Sequence, residues 1–263
     1  MKIEQASSAR NHPHYAQALI TWLYQLADDE LTLGHRDSEW LGLCPDIEGD
    51  VAFSSIAQDE VGHAVFYFHL LEELGEKDPD QSAFLRPLKS RCNALILERS
   101  NGDWAYSIAR HMLYDQWDAL RLKAMLSSSY SPLKQGAEKI LREEYYHLLH
   151  MKTWFIRLGK AGGEAKKRLT DAAYKIWPDL GDFFYIDQEE ALLQFDILRE
   201  SAGSMKKKWE EQVKALFQQA GIPWPGPIPE MKINGRKGEH TEDLRRLLDT
   251  MGEVHALDPT ARW

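Results

Sequence analysis

Apolar residues recur at helical spacing along most of this chain, and no β-type alternation of any length appears. Over residues 14–35, Ala16, Leu19, Ile20, Leu23, Leu26, Ala27 and Leu31 fall three and four apart, which predicts a first long helix with one apolar face. Gly34 and the turn Trp40-Leu41-Gly42-Leu43-Cys44-Pro45 read as its stop. A second helix is predicted over 46–74, with Asp46, Glu48 and Asp50 at its positive end and Gly75 beyond its last turn. A short helix over 83–98 precedes the break Asn101-Gly102-Asp103. A third long helix over 104–126 and a fourth over 132–158 follow, the latter opened by Pro132 and closed by Gly159. Residues 1–12 read as a frayed polar end. Beyond the linker Ala161-Gly162-Gly163, helices are predicted over 164–176, 188–198, 204–219 and 241–256, the last capped by Thr241-Glu242-Asp243. The proline-rich stretch 222–229 cannot be regular, since proline lacks the backbone donor and fixes φ, and 235–238 reads as a loop. The expected fold is all-α: a four-helix bundle core over 1–160, with a helical extension over 161–263 packed on it in one domain.

Two of the long helices carry the same interval on their apolar stripes. Glu60 and His63 share a stripe with Ala52, Ile56, Tyr67 and Leu70; Glu144 and His147 share one with Ile140, Leu148 and Met151. Residues i and i+3 of a helix project from one face, so each Glu-x-x-His aims a carboxylate and an imidazole the same way. Two such pairs, with one carboxylate from each of two other helices, form the ligand set of a di-iron or di-manganese bundle. Oxygen and imidazole donors suit iron or manganese, whereas thiolates favour zinc or iron–sulfur clusters.

The two further carboxylates are present. Glu30 follows Leu23, Leu26 and Ala27 on the inward stripe of the first helix, although within Asp28-Asp29-Glu30 it also reads as an exposed acid. Asp115 and Asp118 both fall on one side of the third helix with Ile108, His111, Met112, Ala119 and Leu122. Glu30 and Glu60 are 30 positions apart, Asp115 and Glu144 are 29, and Asp118 and Glu144 are 26. Two antiparallel hairpins of that span place Glu30, Glu60, His63, Asp115, Glu144 and His147 at one level; Asp118 is the alternative to Asp115. A single histidine on an apolar face reads as a hydrogen-bonded core residue, but six matched residues read as a metal site.

Composition narrows the classes. The 263 residues carry a net charge of −9, which argues against nucleic-acid and polybasic membrane-surface binding. The two cysteines, Cys44 and Cys92, stand in no metal-ligand spacing and give no disulfide framework. The start Met1-Lys2-Ile3-Glu4-Gln5 has no apolar signal core, and no stretch is long and apolar enough to span a bilayer, so a cytoplasmic location is expected. Lys206-Lys207-Lys208 reads as a solvated face. No Gly-rich phosphate loop is present.

Several motifs resemble one family. They are Leu33-Gly34-His35-Arg36-x-Ser38-Glu39-Trp40 with Cys44-Pro45-Asp46-Ile47-Glu48-x-Asp50, and Arg142-Glu143-Glu144-x-Tyr146-His147-x-x-His150 continuing to Trp154-x-Ile156-Arg157-Leu158-Gly159. Trp177-Pro178, Gly238-x-His240-Thr241-Glu242-x-Leu244 and Pro259-x-Ala261-x-Trp263 complete the set. Together they resemble the C subunit of phenylacetyl-CoA epoxidase (the PaaC family) over essentially the whole chain. The resemblance implies a ferritin-like fold, a role in aerobic phenylacetate breakdown, and a catalytic A-type partner in a homo- or hetero-oligomer. In that family the A subunit carries the catalytic di-iron site and epoxidises the ring with O2 and electrons from a reductase. The C subunit serves as a related scaffold, and well-known members have lost several metal ligands and are metal-free. Here Asp59-Glu60-x-x-His63 is complete, a departure from that degenerate pattern. The resemblance thus leaves two expectations: a structural or regulatory subunit, or a di-iron or di-manganese oxidase or oxygenase active in its own right.

Overall fold

The computed structural model describes residues 2–258. In chain order the α-helices are α1 (Ala6–Arg10), α2 (Pro13–Ser38), α3 (Ile47–Glu73), α4 (Pro79–Phe84), α5 (Leu95–Glu98), α6 (Trp104–Met125), α7 (Ser131–Ala161), α8 (Gly163–Ile176), α9 (Glu189–Gln194), α10 (Ala202–Ala220) and α11 (Glu242–Leu257). Among the described residues there is no strand beyond one isolated bridge, between Ile3 and Tyr130, so the fold is all-α as expected. No helix there is long and apolar enough to cross a membrane. The Pro259-x-Ala261-x-Trp263 motif lies outside the described residues.

The chain forms two compact units, Met1–Leu19 with Asn101–Met231, and Ile20–Ser100 with Lys232–Trp263. In the first, α6 packs against α7, α8 and α10. Asp103 caps α6 by accepting from the Tyr106 amide at 3.1 Å. Twenty residues of α6 are buried, including the polar Arg110, His111, Asp115, Gln116, Asp118 and Arg121, so this helix must satisfy its charges internally. Gly159 is not a stop. It lies inside α7, where a Cβ would collide with the Ala220 carbonyl; the glycine permits close approach to α10. The proline-rich stretch is irregular, as predicted. Trp224 packs edge-on to Trp177 at 4.7 Å, and the Trp177 indole donates to the Pro227 carbonyl at 3.4 Å, binding the stretch to the aromatic core. The helix expected over 188–198 shrinks to α9, because Gln188 and Asp196 take left-handed φ of 54° and 58°. The N-terminal segment is not frayed: the Ile3 amide donates to Ser129 at 2.7 Å, its carbonyl accepts from Ser131 at 2.8 Å, and α1 follows. Lys207 and Lys208 are exposed, and Lys208 pairs with Glu200 at 2.6 Å, in keeping with a solvated run.

In the second unit, Asp46 caps α3 through the Gly49 amide at 2.7 Å. Gly34 does not end α2, which continues to Ser38. A Cβ at Gly34 would stand 2.9 Å from the Glu60 Cβ, so the glycine lets α2 and α3 approach beside Glu60. The helix predicted over 83–98 is instead α4, a short 3₁₀ turn at Leu88–Ser90, and α5. Pro87 interrupts the backbone ladder, and the carbonyls freed there are put to use: those of Ser82, Ala83 and Arg86 accept from Arg91 or Arg86. Thr241 caps α11, as expected, accepting from the Asp243 amide at 3.3 Å. The loop expected over 235–238 contains a 3₁₀ turn, Gly235–Lys237.

Candidate metal centre

Asp28-Asp29-Glu30 is not a wet acidic run; all three side chains are buried. Asp28 pairs with Arg86, lies 3.6 Å from Arg91 and accepts from the Cys92 amide at 2.9 Å. Asp29 accepts from Arg236 at 2.6 Å and from the Ala94 amide at 2.9 Å. Glu30 turns instead to α3, where its carboxylate lies 3.4 Å from His63 Nδ1; Glu60 lies 3.9 Å from the same nitrogen. One donor atom each of Glu30, Glu60 and His63 lies within 4.8 Å of the others, so these three form a compact, buried set able to hold a metal ion. Asp37, buried and two turns beyond Glu30 on α2, also brings an oxygen within 4.8 Å of Glu60. Its spacing of seven from Glu30 was the signal for it.

The other unit repeats the theme on α6 and α7. Glu144 and His147 are buried, with Glu144 Oε1 3.0 Å from His147 Nδ1. Asp115 Oδ1 lies 3.1 Å from His111 Nδ1. Burial pushes the Asp115 carboxyl up to about 6; the nearby Glu144 charge adds to this, while His111 and His147 oppose it. Asp118 faces a different partner: Arg121 donates to it from Nε at 3.0 Å and Nη2 at 2.5 Å, and Nη2 also donates to the Tyr114 hydroxyl at 2.7 Å. Of the two aspartates, Asp115 is therefore the one grouped with Glu144 and His147.

The donor set could hold a metal ion. It holds carboxylate oxygen and imidazole nitrogen, with both cysteines free. Asp115 Oδ2 is buried with no hydrogen-bond partner, a position that calls for a cation or a proton. What the sequence left unassigned are Asp37, the hydrogen-bonding role of His111, and the arginines that neutralise Asp28, Asp29 and Asp118.

The chain is similar to the C subunit of 1,2-phenylacetyl-CoA epoxidase from Escherichia coli (strain K12). The two are 29% identical over 246 residues, 93% of this chain and 99% of that protein. Similarity to the A subunit of the same enzyme is 24% over 164 residues, 62% of this chain and 52% of that protein. The family described as phenylacetic acid catabolic protein matches residues 1–263. With an all-α, ferritin-like fold and a match along its full length, the chain belongs to the phenylacetic acid catabolic protein family.

Proposed function

We propose that this chain is the C-type subunit of a multicomponent phenylacetyl-CoA epoxidase, a helical scaffold for a catalytic A-type subunit in aerobic phenylacetate breakdown. The observation that carries this reading is the end-to-end similarity to the C subunit of an epoxidase, spanning 99% of that protein. The further similarity to the A subunit supports a partner built on the same helical plan. Co-expression with an A-type subunit is the test. A co-eluting complex with phenylacetyl-CoA-dependent O2 uptake is expected; an A-type subunit that elutes alone and turns over equally well overturns the reading.

A second reading is favoured by the complete Glu60-x-x-His63: the chain holds metal itself, one ion on Glu30, Glu60 and His63 and one on Asp115, Glu144 and His147. Iron held by carboxylates and imidazoles would supply O2 activation when bound. In both sets Nδ1 is the ring nitrogen that faces the carboxylates. An imidazole ligates only through a nitrogen that carries no proton, so binding weakens as pH falls. Metal analysis of protein from iron-supplemented cells tests this: about two iron or manganese ions per chain are expected, lost in E60A/E144A. Wild type that stays metal-free after anaerobic reconstitution with ferrous iron leaves the scaffold role alone.

A further inference from the structure

We infer that His111 is a positioning residue: it holds one oxygen of Asp115 so that the other is presented, in a fixed direction, to a metal ion shared with Glu144 and His147. The inference rests on the metal-binding reading above.

Three observations carry it. His111 and Asp115 are four residues apart on α6, on one face of the helix, and both side chains are fully buried. His111 Nδ1 stands 3.1 Å from Asp115 Oδ1, while Asp115 Oδ2 is buried without a hydrogen-bond partner. One oxygen is therefore tethered and the other left available. A carboxylate with a single tether cannot swing about its last torsion, and the loss of such a partner elsewhere weakens metal sites by roughly 10–100-fold.

The same helix supplies the control. Three residues on, one oxygen of Asp118 takes two hydrogen bonds from the Arg121 guanidinium, whose permanent charge neutralises the acid. Imidazole hydrogen-bonds the acid while able to stay neutral, so the charge of Asp115 remains for the metal.

The test is anaerobic titration of the full chain with ferrous iron, and with cobalt(II) for its visible spectrum, on wild type, H111L and H111N. Leucine removes the donor at similar volume; the asparagine amide donates from near the place of Nδ1. The expected result is wild-type binding of both ions, about 10–100-fold weaker binding of one ion in H111L with an altered cobalt spectrum, and recovery of most of that loss in H111N. Equal affinity and spectrum in wild type and H111L overturn the inference while the metal reading stands. An H111N as weak as a folded H111L also overturns it. A wild type that binds no metal overturns the metal reading itself, and this inference with it. If H111L does not fold, the 15N shifts of His111 in wild type decide: a proton on Nδ1 supports the tether, and a bare Nδ1 overturns it.

Discussion

Seven buried carboxylates of this protein meet two kinds of partner. Asp28, Asp29 and Asp118 meet guanidinium groups, from Arg86 and Arg91, Arg236, and Arg121 respectively. Glu30, Glu60, Asp115 and Glu144 lie against imidazoles, from His63, His111 and His147. The two kinds alternate at close quarters: Asp29 and Glu30 are neighbours in sequence, and Asp115 and Asp118 are less than one turn apart. Burying a charge demands compensation in either case. Arginine supplies it permanently and ties the acid to the architecture. Histidine can shed its proton and become a ligand, which leaves the acid available to a cation. Among these seven acids, the pattern of partners separates those tied to a permanent charge from those left beside a titratable ring.

Breaking an arginine pair should have the largest effect. R236L leaves Asp29 buried without its guanidinium partner and is expected to cost about 3–5 kcal/mol in urea unfolding, with D29N/R236L recovering most of it. A loss below about 1 kcal/mol would show that water or another group compensates Asp29, and the division into two classes would fail. Next comes the contrast within α6. D118N strands Arg121 and should destabilise by about 1–3 kcal/mol. D115N removes a charge whose burial is unfavourable in the metal-free chain, and should leave it unchanged or up to about 2 kcal/mol more stable while losing metal. Equal losses in the two variants would erase the distinction.

The smallest expected effect sharpens the comparison at an imidazole that serves in the arginine manner. His240 Nδ1 lies 2.7 Å from Glu98, and its Nε2 lies 2.9 Å from the Arg91 carbonyl. Both partners accept, so both nitrogens must carry protons. Burial works against the charged ring, but the Glu98 hydrogen bond and charge, the Arg91 carbonyl and Asp28 outweigh it and raise the His240 pKa. A raised histidine pKa adds stability that is fully present below the ordinary value of 6.5 and is lost as pH climbs through the raised one. Thermal melts from pH 6 to 9 should therefore lose a few °C that H240Q does not lose. A pH profile for H240Q that parallels wild type would mean that the ring is neutral when folded.

The four long helices were legible in the sequence to within about three residues at most ends, because their apolar period and caps are local. Asp46 and Thr241 cap where their side chains suggest. Errors arose where a residue answers to a distant neighbour. Gly34 and Gly159 look like stops, yet each lies within the last turns of its helix, where another segment passes too close for a Cβ. Asp28 and Asp29 look solvated, yet each is buried against arginine. The segment 83–98 has helical periodicity, but Pro87 breaks it into pieces that anchor Arg86 and Arg91.

What the sequence determined alone is the all-α class and the two Glu-x-x-His faces, since an interval of three on a helix fixes direction without reference to the rest of the chain. Tertiary structure alone decided which acids are neutralised and which face imidazole. The arginine that compensates Asp29 lies 207 positions away, and only folding brings that charge to its partner.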